Sequence, residues 1–286
     1  MQIKKAVIAV AGYGTRFLPA TKAIPKELLP VINIPILEML VRELSEAGIS
    51  EILMIISRGK ESIIKHFDRN FEMECVLNKN KKDEYYKLIT QQLDYACIQY
   101  VFQKEALGFA DAVSYSKRFV GKDDFVLCVG DEVFFGNQKS LTTQLIECYY
   151  AYNTPCIALS EVPVKETHLY GIIDGCRDNQ IVEVNRLVEK PVNNPPSNLA
   201  NIGRYVMSCE IFDIIEKFKD SDNEINFIDC LNMLLETRRL TGIIADGTRF
   251  DTGSRSGYVK ANIFAGLHDK ELKDDILQFI KGVLNK

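Results

Sequence analysis

The feature that most constrains the fold is the apolar run Lys5–Ala11 (KAVIAVA), followed at once by Gly12-Tyr13-Gly14. A continuous β-prone run without polar alternation suits a strand covered on both faces, and such strands occur in parallel sheets flanked by helices. The glycines then release the chain into AGYGTRFLPATKAIPKELLP, which carries Arg16, Lys22 and Lys26 among several prolines. Proline removes a backbone donor and breaks helices, so this cationic segment is a loop. Glycines that let backbone N–H groups approach, together with a guanidinium and ammonium groups, suit a phosphate-bearing ligand.

The same strand signal recurs in alternation with helical patterns. Ser50–Ile56, Ile98–Phe102, Phe125–Val129 and Cys156–Glu161 read as strands. Pro35–Ala47, Glu61–Phe67, Leu77–Ala96, Gly108–Phe119 and Leu141–Tyr152 read as helices. This alternation predicts an α/β three-layer sandwich around a mainly parallel mixed sheet. Past residue 160 the pattern changes. Tyr170–Val188 reads as short strands with a turn at GCRDNQ, Ile202–Val206 as a strand, and Cys209–Phe218, Phe227–Glu236 and Gly257–His268 as helices. No linker separates the halves. The expectation is one domain over 1–286: a first part over 1–160, a smaller appended β/α substrate lobe over 161–268 and an amphipathic helical tail over 269–286.

Bulk properties narrow the classes. The 286 residues carry a formal net charge of −4, against a nucleic-acid binder, which is usually strongly basic. The eight cysteines form no CxxC pair; buried free thiols are expected, without a cysteine metal site. The short N-terminal apolar run leads straight into the glycine loop, as a first strand does and a signal peptide does not. No apolar stretch is long enough for a bilayer, so a cytoplasmic location and no membrane partner are expected.

Gly12-x-Gly14 after a strand is half of a dinucleotide fingerprint, but Phe17 stands where the third glycine belongs, and no Walker motif is present. The full segment resembles the signature of sugar-nucleotide pyrophosphorylases, and GTRFLPATKAIPKE is similar to that of the bacterial UTP–glucose-1-phosphate uridylyltransferase family. FQKEALGFADAV, VLCVGDE, LYGII, LVEKP, SNLANIGRYV, NEINFID and FDTGSRSGY follow in the family's order.

The resemblance implies a Rossmann-like nucleotidyltransferase fold, with a nucleotide-binding part over 1–160 and a sugar-binding part over 161–268. It implies synthesis of UDP-glucose and pyrophosphate from UTP and glucose 1-phosphate, with Mg²⁺ as cofactor. It also implies roles for particular residues. Ala11, Gly12, Gln103 and Gly108 form the base pocket. Gly14, Thr15, Arg16 and Lys26 face the triphosphate. Glu27 either lies on the pyrimidine side or organises the loop, and Lys22 is either a ligand or a solvated charge. Asp131 and Asp251 share the metal, with Glu132 a neighbour. Tyr170, Gly171, Glu189, Lys190 and Gly203 form the sugar side, with Lys190 on the sugar phosphate. Glu224 and Asp229 support that pocket from behind. Family members form dimers or tetramers, so a homodimer or homotetramer is expected, with the C-terminal tail as a candidate contact.

The chain departs from the family pattern at Asn33 and Ile34, where an acid and a base are usual, at Phe109 in place of leucine, and at Asn226 and Ile228 beside the sugar pocket. These departures bear on sugar choice and turnover. Two alternatives stay open: a uridylyl- or thymidylyltransferase for another sugar 1-phosphate, and a regulatory paralogue of low activity.

Overall fold

The computed structural model describes residues 2–218 and 225–284. Its strands are β1 (Lys5–Val10), β2 (Pro30–Val31), β3 (Ile34–Pro35), β4 (Glu51–Ile56), β5 (Cys97–Phe102), β6 (Phe125–Val129), β7 (Glu132–Gly136), β8 (Cys156–Glu161), β9 (Gly171–Asp178), β10 (Ile181–Glu189), β11 (Leu199–Met207), β12 (Thr241–Ile244) and β13 (Gly247–Asp251). Nine of them form one sheet in the order β5-β4-β1-β6-β11-β8-β12-β10-β9. Parallel pairing runs from β5 to β6 and recurs between β8 and β12, while β11, β10 and β9 pair antiparallel with their neighbours.

Successive strand residues point to opposite faces, and the core divides accordingly. On β6, Phe125 and Leu127 face one cluster, while Val126 and Cys128 face the other. The first cluster takes in Ala110 and Val113 of helix Gly108–Ser114, Ile211 and Ile215 of helix Glu210–Phe218, and Leu231 and Leu234 of helix Phe227–Leu235. The second takes in Leu37, Leu40 and Leu44 of helix Ile36–Glu46, Ile63 and Phe67 of helix Glu61–Phe67, and Leu141 and Leu145 of helix Leu141–Tyr152. A three-layer α/β sandwich results.

The sheet is continuous across the 1–160 and 161–268 parts, because β6 hydrogen-bonds to β1 on one side and β11 on the other. A separate antiparallel ribbon, β7–β13, packs Val133, Phe135 and Phe250 against Tyr258, Ala261 and Ala265 of helix Arg255–His268. That ribbon was not foreseen: EVFFG and GTRFD are short and flank turn residues.

Other differences are local. The polar stretch read as one helix over 77–96 is helix Phe71–Lys79, helix Asp83–Thr90 and a 3-10 turn at Gln91–Asp94. Gly108–Phe119 breaks into Gly108–Ser114 and Lys117–Val120. All eight cysteines are free, but Cys75, Cys97 and Cys176 are exposed rather than buried. Among the described residues no helix is long and apolar enough to cross a membrane.

Candidate active site

The parallel strands β5, β4, β1 and β6 bring their carboxyl ends to one edge of the sheet, where ligands bind in open α/β folds. Each end supplies a polar residue. Gln103 follows β5, Lys60 follows β4, the glycine loop follows β1, and Asp131 follows β6.

The loop after β1 is folded as three 3-10 turns, at Thr15–Phe17, Ala20–Lys22 and Lys26–Leu28. Gly14 has φ +66°, and a Cβ there would sit 3.3 Å from the Lys26 side chain. Only glycine takes that backbone conformation at little cost. The Thr21 hydroxyl donates to the Gly14 carbonyl at 2.7 Å. Thr15, Arg16 and Lys22 are exposed on this loop. Lys26 turns inward, and its ammonium donates to Asp131 Oδ2 at 2.5 Å. Burial works against that charge, but Asp131 outweighs it, and the Lys26 pKa lies above the ordinary lysine value.

Asp131 and Asp251 meet through the β7–β13 ribbon, whose register sets Asp251 opposite Glu132. Thr252 locks the junction, donating from its N–H (3.1 Å) and its hydroxyl (2.6 Å) to the Asp131 carbonyl. Ser254 donates to the Asp251 carbonyl at 3.0 Å and caps helix Arg255–His268. The Arg16 guanidinium lies 3.9 Å from each carboxylate. A Cβ on Gly253 would fall against Asp131 Oδ2, 2.7 Å from Arg16 Nη2 and 3.0 Å from Asp251 Oδ1. The two carboxylates and Arg16 therefore surround one small space that glycine leaves open. Hard carboxylate oxygens aimed at one point, with room for phosphate oxygens and water, suit a divalent cation. Among the described residues no third acid, histidine or cysteine joins them.

Glu132 points away and pairs with Arg249, Nε to Oε2 at 2.8 Å and Nη2 to Oε1 at 2.5 Å. Burial pushes the Glu132 carboxyl up to about 8 against the pull of Arg249. The Arg249 guanidinium stacks 4.7 Å over the Tyr170 ring.

Two cavities that share Phe109 open nearby, and the first of them is lined by Asp131. The first, about 320 Å³, is lined by Ala11, Gly12, Lys26, Glu27, Gln103, Gly108 and Asp131, among others. Gln103 Nε2 donates to the Gly108 carbonyl (3.2 Å) and to Asp111 Oδ2 (2.7 Å). Both partners are acceptors, so they fix the amide orientation and leave Oε1 as an acceptor. Glu27 is only 1% exposed, and both its carboxylate oxygens accept from Lys60 at 2.8 Å. Of the two roles considered for Glu27, the geometry favours organising the loop.

The second cavity, about 480 Å³, is lined by Gly171, Glu189, Lys190, Asn201, Tyr205, Asn226, Ile228 and others, and shares Phe109 with the first. Lys190 has φ +42° and its ammonium lies 3.0 Å from Glu189 Oε1. A Cβ on Gly171 would strike Ile228 Cδ1.

Several predicted residues fall elsewhere. Tyr170 and Gly203 are not among those lining the second cavity. Tyr170 carries Arg249 on its ring. Gly203, at φ +68°, sits at the irregularity in the β11–β8 pairing, where a Cβ would strike Val129. Its absent side chain serves strand packing. Asp229 is exposed, and Glu224 lies outside the described residues. Asn33 and Ile34 belong to the β2–β3 hairpin, held to helix Arg255–His268 by Ile32 N–H to Asn262 Oδ1 at 2.9 Å. Missed altogether were Lys60, Asp111, Arg249, Thr252 and Asn201. Arg249 was recoverable from its i−2 spacing to Asp251, and Lys60 from its place just past a buried strand. Nothing local marks Thr252 or Asn201.

Residues 5–266 match the nucleotidyl transferase family model. A UTP–glucose-1-phosphate uridylyltransferase of Staphylococcus haemolyticus is 39% identical over 98% of this chain and 98% of its own. The chain belongs to the UTP–glucose-1-phosphate uridylyltransferase family. Two solved structures extend the likeness to the backbone of that family. A UTP-bound UGPase from Acinetobacter baumannii aligns with TM-score 0.91 at 37% identity, covering 98% of this chain and 99% of that one. A UDP-glucose pyrophosphorylase complexed with UDP-glucose aligns with TM-score 0.83 at 33% identity, covering 91% and 97%. The nucleotidyl transferase family acts with a divalent metal, and the Asp131–Asp251 pair provides oxygen donors that fit one.

Proposed function

We propose that this protein transfers the uridylyl group of UTP to glucose 1-phosphate, releasing pyrophosphate and forming UDP-glucose, with Mg²⁺ held by Asp131 and Asp251. The observation that carries the reading is the convergence of Asp131, Asp251, Arg16 and Lys26 at the first of two cavities that share Phe109. One cavity presents an oriented amide and the other a glutamate–lysine pair. The relatives' names supply the identity of the substrates.

In this reading the Gln103 carbonyl accepts from the uracil N3–H, with Ala11, Gly12 and Gly108 around the base. Gly14, Thr15 and Arg16 hold the β- and γ-phosphates, and Arg16 balances the charge that grows on departing pyrophosphate. Lys26 neutralises the α-phosphate. Glu189 bonds sugar hydroxyls and Lys190 holds the sugar phosphate. An oxygen of that phosphate attacks the α-phosphorus, and the bond from phosphorus to the pyrophosphate oxygen breaks. The metal, when bound, supplies charge neutralisation at the phosphates. Catalysis is otherwise positioning and preorganised charge, as expected for phosphoryl-type transfer.

The division into a nucleotide part, a sugar part and a helical tail follows from the same reading. A cytoplasmic location goes with it, since UTP is an intracellular metabolite. So does a homodimer or homotetramer, supported by the exposed Phe279, Val283 and Leu284 on helix Lys273–Leu284. The test is to incubate the protein with Mg²⁺, each nucleoside triphosphate and each sugar 1-phosphate and to measure pyrophosphate. Release with UTP and glucose 1-phosphate is expected. Equal rates with ATP or GTP, or no release with any pair, would sink the reading.

A further inference from the structure

The cationic loop leaves the sheet at Val10 and is anchored again at Glu27. One side chain holds both anchor points. The Lys60 ammonium donates to the Val10 carbonyl at 2.5 Å and to Glu27 Oε1 and Oε2 at 2.8 Å each. Lys60 is 6% exposed and comes from the turn after β4, outside every motif quoted above. Three acceptors around one nitrogen use all three protons of an ammonium, so the contact is an ion pair. Burial pushes Lys60 down and Glu27 up, while each partner's charge pulls the other back toward its ionised form.

The Glu27 stem runs beside Gly130, where a Cβ would lie 3.3 Å from Glu27 Cγ, so glycine there leaves it room to reach Lys60. The other cation whose charge Glu27 feels is its sequence neighbour Lys26. Lys26 is committed to Asp131 and faces the first cavity. A buried carboxylate that loses its partner is costly, and it draws in whatever cation is near.

We propose that Lys60 is a positioning residue for the transfer: by saturating Glu27 it keeps that carboxylate from capturing Lys26, and so keeps the Lys26 ammonium aimed at the nucleotide phosphates. The inference rests on reading the Arg16–Lys26 loop as the triphosphate site. Lys60 itself touches no substrate.

The test compares Lys60→Met, Lys60→Gln and the double variant Lys60→Met/Glu27→Gln with wild type. Calorimetry with UTP, KM for glucose 1-phosphate and melting temperature are the readouts. Lys60→Met should weaken UTP about tenfold or more, the scale of one charge-assisted hydrogen bond, while KM for glucose 1-phosphate moves less than about threefold. The double variant, which removes the competing carboxylate, should bind UTP more tightly than Lys60→Met. A purely structural staple predicts no recovery, since the loop ends stay untied. If Lys60→Met does not fold, Lys60→Gln takes its place in the comparison. UTP affinity within about threefold of wild type in the single variants, or a double variant no better than the single, overturns the proposal. Wild-type protein that binds no UTP removes it together with the reading beneath it, a result distinguishable from failure of the variants alone.

Discussion

Gly253→Ala is the smallest change that reaches the proposed metal cradle. The added methyl would fall against Asp131 Oδ2, 2.7 Å from Arg16 Nη2 and 3.0 Å from Asp251 Oδ1. Ordinary carbon contacts need 3.4 Å or more, so the carboxylates and the guanidinium must part by roughly 1 Å, a misplacement that can cost about 10²-fold in rate. Stability should suffer far less. Overpacking by one methyl costs about 1–3 kcal/mol, which in a chain of this size lowers Tm by roughly 2–5 °C. The assay is pyrophosphate release at saturating UTP and glucose 1-phosphate, with Tm read by calorimetry on the same preparation. The expected pattern is kcat down about 10²-fold in a protein still folded at the assay temperature. A folded Gly253→Ala variant with kcat within about threefold of wild type would refute the claim that these groups must converge on one space.

Further expectations follow from the same geometry. Asp131→Asn and Asp251→Asn should each lower kcat at least about 10²-fold and raise the Mg²⁺ concentration needed for half-maximal rate; near wild-type turnover at limiting Mg²⁺ removes that aspartate from the ligand set. Lys190→Ala should raise KM for glucose 1-phosphate about tenfold or more with UTP binding intact, whereas Arg16→Ala should weaken UTP; the reverse pattern in paired titrations would exchange the two assignments. Asp111→Ala frees the Gln103 amide to flip and present a donor, so discrimination between UTP and CTP should fall about tenfold, one hydrogen bond's worth; unchanged discrimination in competition assays would show that Gln103 is not held by Asp111.

Much of this molecule is legible in one dimension, for identifiable reasons. KAVIAVA, SEILMII and FVLCV are buried on both faces, so their uniform apolarity gives them away, and each is a strand within a residue of its expected bounds. Helix Leu141–Tyr152 was readable to the residue because Ser140 caps it and Asn153 ends it in the left-handed region. The β7–β13 ribbon was not readable. Its pairing joins segments more than a hundred positions apart, and its aromatic face is covered by helix Arg255–His268 together with Val31, Ile36 and Met39. The same holds for the site. Glycines and cations clustered in one loop announce themselves, but the Glu27–Lys60 pair forms only after β1 and β4 lie side by side. Gly203 shows a demand invisible in the sequence: a strand irregularity against Val129 requires glycine there whatever it does for a ligand.

The unbroken sheet also limits how this scaffold can be recombined. Because β6 carries Asp131 at its tip and is hydrogen-bonded on one edge to β1 and on the other to β11, the spacing between the two cavities is written in backbone register. Grafting the whole second half from a relative with a different acceptor would have to recreate the β6–β11 ladder residue for residue, and a slip of one would turn Asn201 to the opposite face. Helix Phe227–Leu235 is a different kind of part. It lays Phe227 and Ile228 along the second cavity, the proposed acceptor site, yet contributes no strand to the sheet. New acceptor preferences are therefore most accessible to exchange of that one helix, with the phosphate-handling edge left intact.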